Sequence, residues 1–532
     1  MLRLSSMSGA FMIALATLLL AAPPAAAHAQ AAERFDVILR GGRLLDGSGN
    51  PWRRADVGIR GDRVAAVGDL GGATAGTVLD VADLYVAPGF IDTHSHAGEA
   101  LQDRELGVAR PLLAQGVTTV LVNPDGGGPV DLAAQRRALE ANGIGVNVGQ
   151  MVPHGSVRSA VLGMADRAPT QDELARMEEL VRRGMAEGAF ALSSGPFYAP
   201  GSYAKTDELV ALARVAARWH APYQSHIRDE SDYTIGLLAA VEEVVTVARE
   251  AGTRGVVTHV KALGPSVWGM SAAAVNRIER ARSAGVEVFA DQYAYDASST
   301  ALGAALLPRW AQAGGRDSLR ARIARPGERA RIVEEMRLNL ARRGGAERIR
   351  IASYRPDARA EGQTLAQLAA ARGADAVETA LAMLGPADAS IVSFNMSDED
   401  IERFMRQPWT MTSSDGGLSA PGRGVPHPRN NGAFARKLRK YVVEDGVLDL
   451  ASAVRSMTSL PAAVYNIPDR GVLRPGAFAD VVVFDLARVR DLATYEDPHR
   501  VAEGMRYVLV NGRFALRDGA VGAERAGRVL RR

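Results

Sequence analysis

Between Val86 and Gly417 the chain repeats one pattern: a short apolar run, a polar or glycine-marked turn, then a stretch with helical periodicity. The runs are VAPGFIDTHSH, GVTTVLVN, GVNVGQMV, AFALSSG, APYQSHI, GVVTHVKAL, GVEVFADQY and WTMTSSDGG. A short, nearly continuous apolar strand is one buried on both faces, the condition of a parallel sheet covered by helices. Eight such strands with helical crossovers predict an α/β chain built on a (β/α)8 TIM-like barrel. Thr170 and Glu173 form a capping-box pattern ahead of the helical segment LARMEELVRRGMAEG. The Arg-, Ala- and Glu-rich stretch over 302–374 predicts a helical insertion late in the barrel.

Both ends read differently. From Phe35 to Ala87 apolar residues alternate with a period near two between glycine turns, and ADVVVFDL and YVLVNGRFALRDG repeat that style near the C-terminus. Because chain ends often lie close together, residues 33–88 and 467–532 are expected to form one small β-sandwich domain beside a barrel of residues 89–466. Ahead of both, Arg3, the apolar run Phe11 to Ala22 and the ending Ala27-His28-Ala29 predict a signal peptide over residues 1–29 and a periplasmic or secreted address. The apolar run is shorter than the ~20 residues that span a bilayer, so no stable membrane insertion is expected after cleavage.

Composition narrows the chemistry. Apolar residues at 47% and charged residues at 23% are those of a folded soluble protein, and a net charge of +3 spread along the chain leaves no footprint for nucleic acid. With no cysteine, disulfides, thiolate metal sites and thiol nucleophiles are excluded, so any metal must be held by nitrogen and oxygen.

Four histidines fall at the C-terminal ends of predicted barrel strands, where such barrels build active sites. His94 and His96 are two apart in IDTHSH and face the same way on a strand, so both imidazoles can reach one ion. His226 in YQSHIRDE and His259 in VVTHVKALG end two further apolar strands, where a metal would satisfy a buried ring. Asp415 in TMTSSDGG ends the last strand and is the candidate proton carrier. Asp125 in VNPDGGG ends the second and reads equally as a ligand or a turn residue.

PGFIDTHSH, the strand-end histidines and the final SDG resemble the amidohydrolase superfamily. ALSSGPFYAPGSYAKTDEL, YQSHIRDES, THVKALGPSVWG, ADQYAYDASST, HPRNNGAFARKL and the terminal RVLRR resemble its D-aminoacylase branch, the N-acyl-D-amino-acid deacylases. The resemblance implies His94, His96, His226 and His259 as metal ligands and Asp415 as the catalytic aspartate. It also implies Lys261, Tyr293, Ser299 and Arg429 as residues that hold the substrate's α-carboxylate and nearby atoms, with Tyr198 of PFYAPG lining the site. One position departs from the pattern: where the branch usually carries a cysteine in an NCG string, this chain has Asn123-Pro124-Asp125-Gly126, which puts Asp125 in the slot of the anionic ligand. A carboxylate can take that place as a harder ligand. A carboxylated lysine on the fourth strand is not available, since AFALSSG has no lysine, and Asp125 is the evident bridging anion.

The reaction so implied is hydrolysis of the amide bond of N-acyl-D-amino acids, small-molecule substrates, by metal-activated water with Asp415 as general acid and base. One or two Zn2+ ions are the expected cofactor, other divalent metals being possible. The rival readings are a cyclic-amide hydrolase of the hydantoinase or dihydroorotase kind, a dipeptidase, and a non-catalytic periplasmic binding protein. HPR and THVK weigh against the first two and Asp415 against the third. Acyl group, side chain and oligomeric state are not encoded in any motif.

Overall fold

The computed structural model describes residues 34–532, so the predicted signal peptide and its cleavage site lie outside the described residues. Eight strands frame the centre of the chain: β1 Phe90–Ser95, β2 Val117–Val122, β3 in two pieces (Asn147–Gln150 and Val152–Pro153), β4 Leu192–Ser194, β5 Tyr223–Ser225, β6 Gly255–Val257, β7 Val288–Gln292 and β8 Thr410–Thr412. Neighbours pair in parallel and in chain order, β1 to β3 on one arc and β3 to β8 on the other. The ring closes where Ser95 bridges Gly416 in parallel, with Asp415 N donating to His94 O at 2.9 Å and His96 N to Gly416 O at 2.8 Å.

Burial on both faces accounts for the strands' lack of alternation. Ile91, Leu121, Met151, Phe190, Val256 and Met411 come from six different strands or their edges and form one cluster, joined by Leu460 and Tyr465 from the helix Ser459–Val464 and its end. On the outside, Val152, Leu192, Tyr223, Val257 and Ala290 pack against Val181, Leu212, Val244 and Ile278 of the surrounding helices. One of those helices, Gln171–Ala186, opens with the expected capping box: Glu173 N donates to Thr170 Oγ1 at 3.2 Å and Thr170 N to Glu173 Oε2 at 2.8 Å. The terminal RVLRR tail pairs beside β3, with Leu530 N donating to Val148 O at 2.7 Å.

The insertion is larger and less purely helical than its composition suggests. Besides the helices Gly315–Ala324, Pro326–Arg342 and Leu365–Arg372 it carries Ala376–Leu384 and an antiparallel sheet of Ala297–Ala301, Ser390–Phe394 and Ile349–Ser353, with its own core around Leu306, Met336, Ile351 and Ile391. The stretch therefore runs past 374 to Phe394, and its strands went unread because IRIAS and SIVSF are five residues long and flanked by helix formers.

The two chain ends form one nine-stranded sheet. The strand Arg34–Leu44 belongs to both of its halves: Arg34 to Arg40 pair in parallel with Thr74–Asp80, while Arg43 and Leu44 pair with Tyr85 and Val86 after a register shift between Leu39 and Gly42. That shift lets the sheet bend around Leu39, Val57, Ile59, Val481 and Leu509, so the sandwich-like unit is a single hydrogen-bonded path folded on itself.

Candidate metal centre and active site

Every predicted ligand sits at the C-terminal mouth of the barrel. His94 ends β1, with His96 just beyond it at the rim, and Asp125, His226, His259 and Asp415 follow β2, β5, β6 and β8. Asn123, Asp125, His259 and Asp415 take φ values of 67°, 56°, 34° and 49°, a left-handed backbone that non-glycine residues seldom adopt and that active-site turns do. The PDGGG turn aims Asp125 inward by close backbone contact: a Cβ on Gly195 would stand 2.2 Å from Asp125 O, and one on Gly126 2.9 Å from Gly155 N. Only glycine fits at either place.

The side chains form two groups that share one carboxylate: His94, His96, Asp125 and Asp415, and Asp125, His226 and His259. Asp125 Oδ1 lies 3.3 Å from His94 Nε2, 3.5 Å from His226 Nδ1 and 3.5 Å from His259 Nε2, while its Oδ2 lies 3.3 Å from His96 Nε2. Asp415 Oδ1 is 3.1 Å from His96 Nε2 and 3.4 Å from His94 Nε2. Despite this proximity, His94 Nε2, both ring nitrogens of His226 and Asp125 Oδ1 are buried with no hydrogen-bond partner. Atoms so costly to leave unpaired, all converging on the space around Asp125, fit a cation held by nitrogen and oxygen. Asp125, expected from the sequence as ligand or turn, sits in the turn with its carboxylate facing four imidazoles.

A second ring of groups orients the first. Thr258 Oγ1 donates to Asp291 Oδ2 at 2.7 Å, which leaves its lone pairs for Gln224 Nε2 at 2.7 Å and His94 Nδ1 at 3.2 Å. With its proton on Nδ1, donated to Thr258 Oγ1, His94 bares Nε2 toward Asp125. Asp291 Oδ1 also accepts from His259 N at 2.8 Å and Ser413 Oγ at 2.7 Å, tying β6 to β8. Glu230, four residues after His226, accepts Lys261 Nζ at 2.5 Å and lies 3.0 Å from His259 Nδ1. Asp92 accepts from Ser414 N at 2.9 Å and from the Ser414 hydroxyl, pinning β1 to the turn that bears Asp415.

Electrostatics follow from this crowding. Burial alone would raise the Asp125 carboxyl, but the charge of His94 and the rings of His226 and His259 beside it hold it well below the usual range. Asp415 is likewise pushed up by burial and pulled well below its ordinary value by Arg429, His259 and His94. Burial opposes protonation of His94, yet Asp125 and Asp415 raise it well above an ordinary imidazole. Two ionised carboxylates facing imidazoles thus create a field that demands positive charge, and a divalent cation satisfies it better than protons do.

The expected substrate residues surround a cavity of about 530 Å³ that opens on this cluster. Lys261 is buried beside Glu230, and the Tyr293 ring lies 5.6 Å from Lys261 Nζ and 4.7 Å from Arg429 Cζ, its hydroxyl buried with no partner. Tyr198 lies edge-on to His226 at 4.6 Å, its hydroxyl 3.2 Å from Thr300 Oγ1, and Ser299 stands at the boundary with an adjoining chamber. Arg429 gives Nη1 to Asp415 Oδ2 at 2.8 Å, so it anchors the candidate proton carrier while lining the adjoining chamber. His427 Nε2 donates to Ala297 O at 2.9 Å and its Nδ1 accepts from Arg429 N at 3.0 Å, which explains the HPR string as a brace for Arg429. Glu230, Thr258, Asp291, Gln224 and His427 went unassigned in the sequence; only the i, i+4 spacing of His226 and Glu230 in HIRDE offered a signal.

Comparison with known proteins agrees with this geometry. Residues 77–515 match the family model described as Amidohydrolase family. The chain belongs to the amidohydrolases. Within that family it falls in the D-aminoacylase branch: it is 39% identical to the N-acyl-D-glutamate deacylase of Alcaligenes xylosoxydans xylosoxydans, over 94% of this chain and 97% of the relative. It is 36% identical to the D-aminoacylase of the same organism, over 94% and 98%. Among solved structures, the N-acyl-D-glutamate deacylase of Bordetella bronchiseptica, complexed with zinc and a phosphonate mimic of the tetrahedral intermediate, superposes with a TM-score of 0.80 at 36% identity, over 94% of this amidohydrolase and 100% of that chain. A D-aminoacylase described as defining a novel subset of amidohydrolases gives a TM-score of 0.80 at 34% identity, over 94% and 100%. An L-hydantoinase from Arthrobacter aurescens shares the fold alone, at 17% identity and a TM-score of 0.57 over 94% and 100%.

Proposed function

We propose that this amidohydrolase cleaves the amide bond of N-acyl-D-amino acids to a carboxylic acid and a D-amino acid. One observation carries the reading: an ionised aspartate, Asp415, is clamped by Arg429 at one oxygen and turns the other into the histidine cluster, beside a cavity that presents Lys261 and Tyr293. His94, His96, Asp125, His226 and His259 would hold zinc, Asp125 being the residue common to both groups. When bound, zinc supplies a Lewis acid that polarises the scissile carbonyl and makes water a stronger acid.

The chain's own residues do the rest. Asp415 Oδ1 receives the proton that water gives up and returns it to the departing amine, while Arg429 on Oδ2 keeps the carboxylate from rotating away. Lys261 and Tyr293, with the remaining donors of Arg429, bind the α-carboxylate through charge-assisted hydrogen bonds, so the amide presents one face to the cluster. Selection of the D enantiomer follows from that placement, because exchanging two substituents at Cα would move the amide or the side chain off its site. The leader residues support a periplasmic or secreted address, which N-terminal sequencing of the fractionated mature chain tests.

The test is amine release from a panel of N-acyl-D- and N-acyl-L-amino acids, with hydantoins alongside, by the zinc-loaded mature protein. Turnover confined to linear D substrates is expected, and D415N should abolish it without lowering bound zinc. Hydantoin cleavage, or near-wild-type rates in D415N, would overturn the assignment.

A further inference from the structure

Behind the cavity wall, outside the ligand cluster, three polar side chains are buried together: His154, Arg158 and Glu208. His154 and Arg158 belong to the helix His154–Leu162, which leaves the end of β3, and Glu208 to the helix Thr206–Ala217. Residues four apart share a helix face, so the two donors point the same way and divide one carboxylate between them. His154 Nε2 donates to Glu208 Oε1 at 2.9 Å, and Arg158 Nη1 to Oε2. Burial pushes the Glu208 carboxyl up, but His154 and Arg158 pull it below its ordinary range, so it stays ionised. Arg158 Nη2 also donates to the carbonyl oxygen of Arg167. None of the three lines the cavity, and neither water activation nor substrate binding uses them.

What they hold is the support of the turn that carries Asp125. Ser156 N, in the first turn of the helix His154–Leu162, donates to Gly126 O at 3.0 Å. No side chain separates the two segments: a Cβ on Gly155 would stand 2.9 Å from Gly126 O. On its other side the same turn lies against Gly195 at the end of β4, and a Cβ on Gly201 would in turn stand 2.8 Å from Gly195 O. His154 reaches the edge of this stack, its Nδ1 buried with no partner and 3.8 Å from where a Gly201 Cβ would be. Four backbone segments, at Gly155, Gly126, Gly195 and Gly201, therefore rest directly on one another. A side chain between two segments can absorb a shift by changing rotamer, whereas backbone packed on backbone passes the shift on. The helix starts at Pro153 without a side-chain cap, which leaves the bonds to Glu208 to fix its first turn. Ligand distances in a metal site hold to within about 0.2 Å, so a small slip of that turn is enough to misplace the Asp125 carboxylate.

We infer that Glu208 is a positioning residue for the metal centre: through His154 and Arg158 it fixes the helix on which the Asp125 turn rests, and so sets where that carboxylate stands. The inference rests on the metal-dependent part of the proposed function and on none of its substrate, so metal binding by itself decides it.

The experiment measures zinc affinity by chelator competition, and the urea midpoint of the apo protein, in four variants of the mature chain. H154L removes the donor to Glu208 and should weaken zinc roughly 10- to 100-fold. H154Q puts an amide N–H where Nε2 was and should restore affinity to within a few-fold of wild type. G155A adds a methyl group against Gly126 O at a helical position that alanine favours, so it should weaken zinc likewise while leaving the urea midpoint at or above wild type. V481A cuts into the core of the terminal sheet, so it should lower the midpoint and leave zinc affinity unchanged. Wild-type affinity in H154L or in G155A overturns the inference, as does a V481A protein that loses as much affinity as H154L, since general instability would then explain the loss. An H154Q protein as weak as H154L places the effect in packing and overturns the part given to Glu208. If H154L does not fold, G155A decides. A wild type that binds no zinc brings down the metal reading and the inference with it, an outcome distinct from a wild type that binds zinc no more tightly than its variants.

Discussion

Replacing Thr258 by valine tests whether the metal site depends on hydrogen bonds that never touch the metal. The side chains have nearly the same shape, so the change removes only the hydroxyl. Three buried groups lose a partner: Asp291 Oδ2 its donor at 2.7 Å, Gln224 Nε2 its acceptor at 2.7 Å and His94 Nδ1 its acceptor at 3.2 Å. Asp291 keeps Ser413 and His259 N, Gln224 keeps Thr93 O at 3.3 Å, and His94 Nδ1 keeps only Gln224 Nε2 at 3.3 Å, a donor that favours the opposite tautomer. At about 1–3 kcal/mol for a buried polar group left unpaired, the apo protein should lose about 2–4 kcal/mol in denaturant unfolding. Freed to take either tautomer, His94 no longer presents Nε2 reliably, and zinc affinity should fall roughly 10- to 100-fold. A chelator-competition titration reads that affinity without reference to activity. T258S retains the hydroxyl and should restore affinity to within a few-fold of wild type. A T258V protein that binds zinc as tightly as wild type, or a T258S protein as weak as T258V, would refute the tautomer argument.

Two further expectations concern metal and protons. Stripping the metal with chelator should lower the thermal midpoint, and zinc at a thousand-fold excess over its Kd should restore about 4 kcal/mol; D125A should bind fewer zinc ions per chain and lose turnover, and full stoichiometry in D125A would show that Asp125 is not shared. Lys437 donates to Thr412 Oγ1 at 2.8 Å and Ser456 Oγ at 2.9 Å, and burial lowers it from 10.5 to about 7. Its folded value lies below its unfolded one, so the penalty is full below pH 7, at about 5 kcal/mol, and fades as pH rises toward 10.5. K437M removes the group, so its stability advantage over wild type should shrink steadily between pH 7 and 9.5, as read by urea midpoints. A gap independent of pH would refute the assignment.

The barrel was legible because a parallel strand buried on both faces reads as an apolar run, and eight of these were evident between Val86 and Gly417. The clustering of the four histidines was legible because each ends such a run, where position along the chain already dictates position in space. Asp125 was half legible: a PDGGG turn says that the backbone reverses, not where the carboxylate points. Glu230 and Thr258 gave weaker signals or none, since a charged residue after HIR and a threonine before His259 are unremarkable until Lys261 and Asp291 stand beside them. The insertion was misjudged in extent because its sheet pairs Ile349–Ser353 with Ser390–Phe394 across two helices.

The amino-acid sequence by itself determined which residue types reach the barrel mouth, and hence that nitrogen and oxygen ligands with an aspartate meet there. Tertiary structure alone decided which charges find partners. Arg343 stands in an arginine-rich stretch that locally reads as solvated helix surface, and only packing buries it in the cavity wall without a carboxylate. Strand periodicity is a property of neighbours along the chain, whereas charge compensation is a sum over groups brought close by folding, and no local pattern carries that sum.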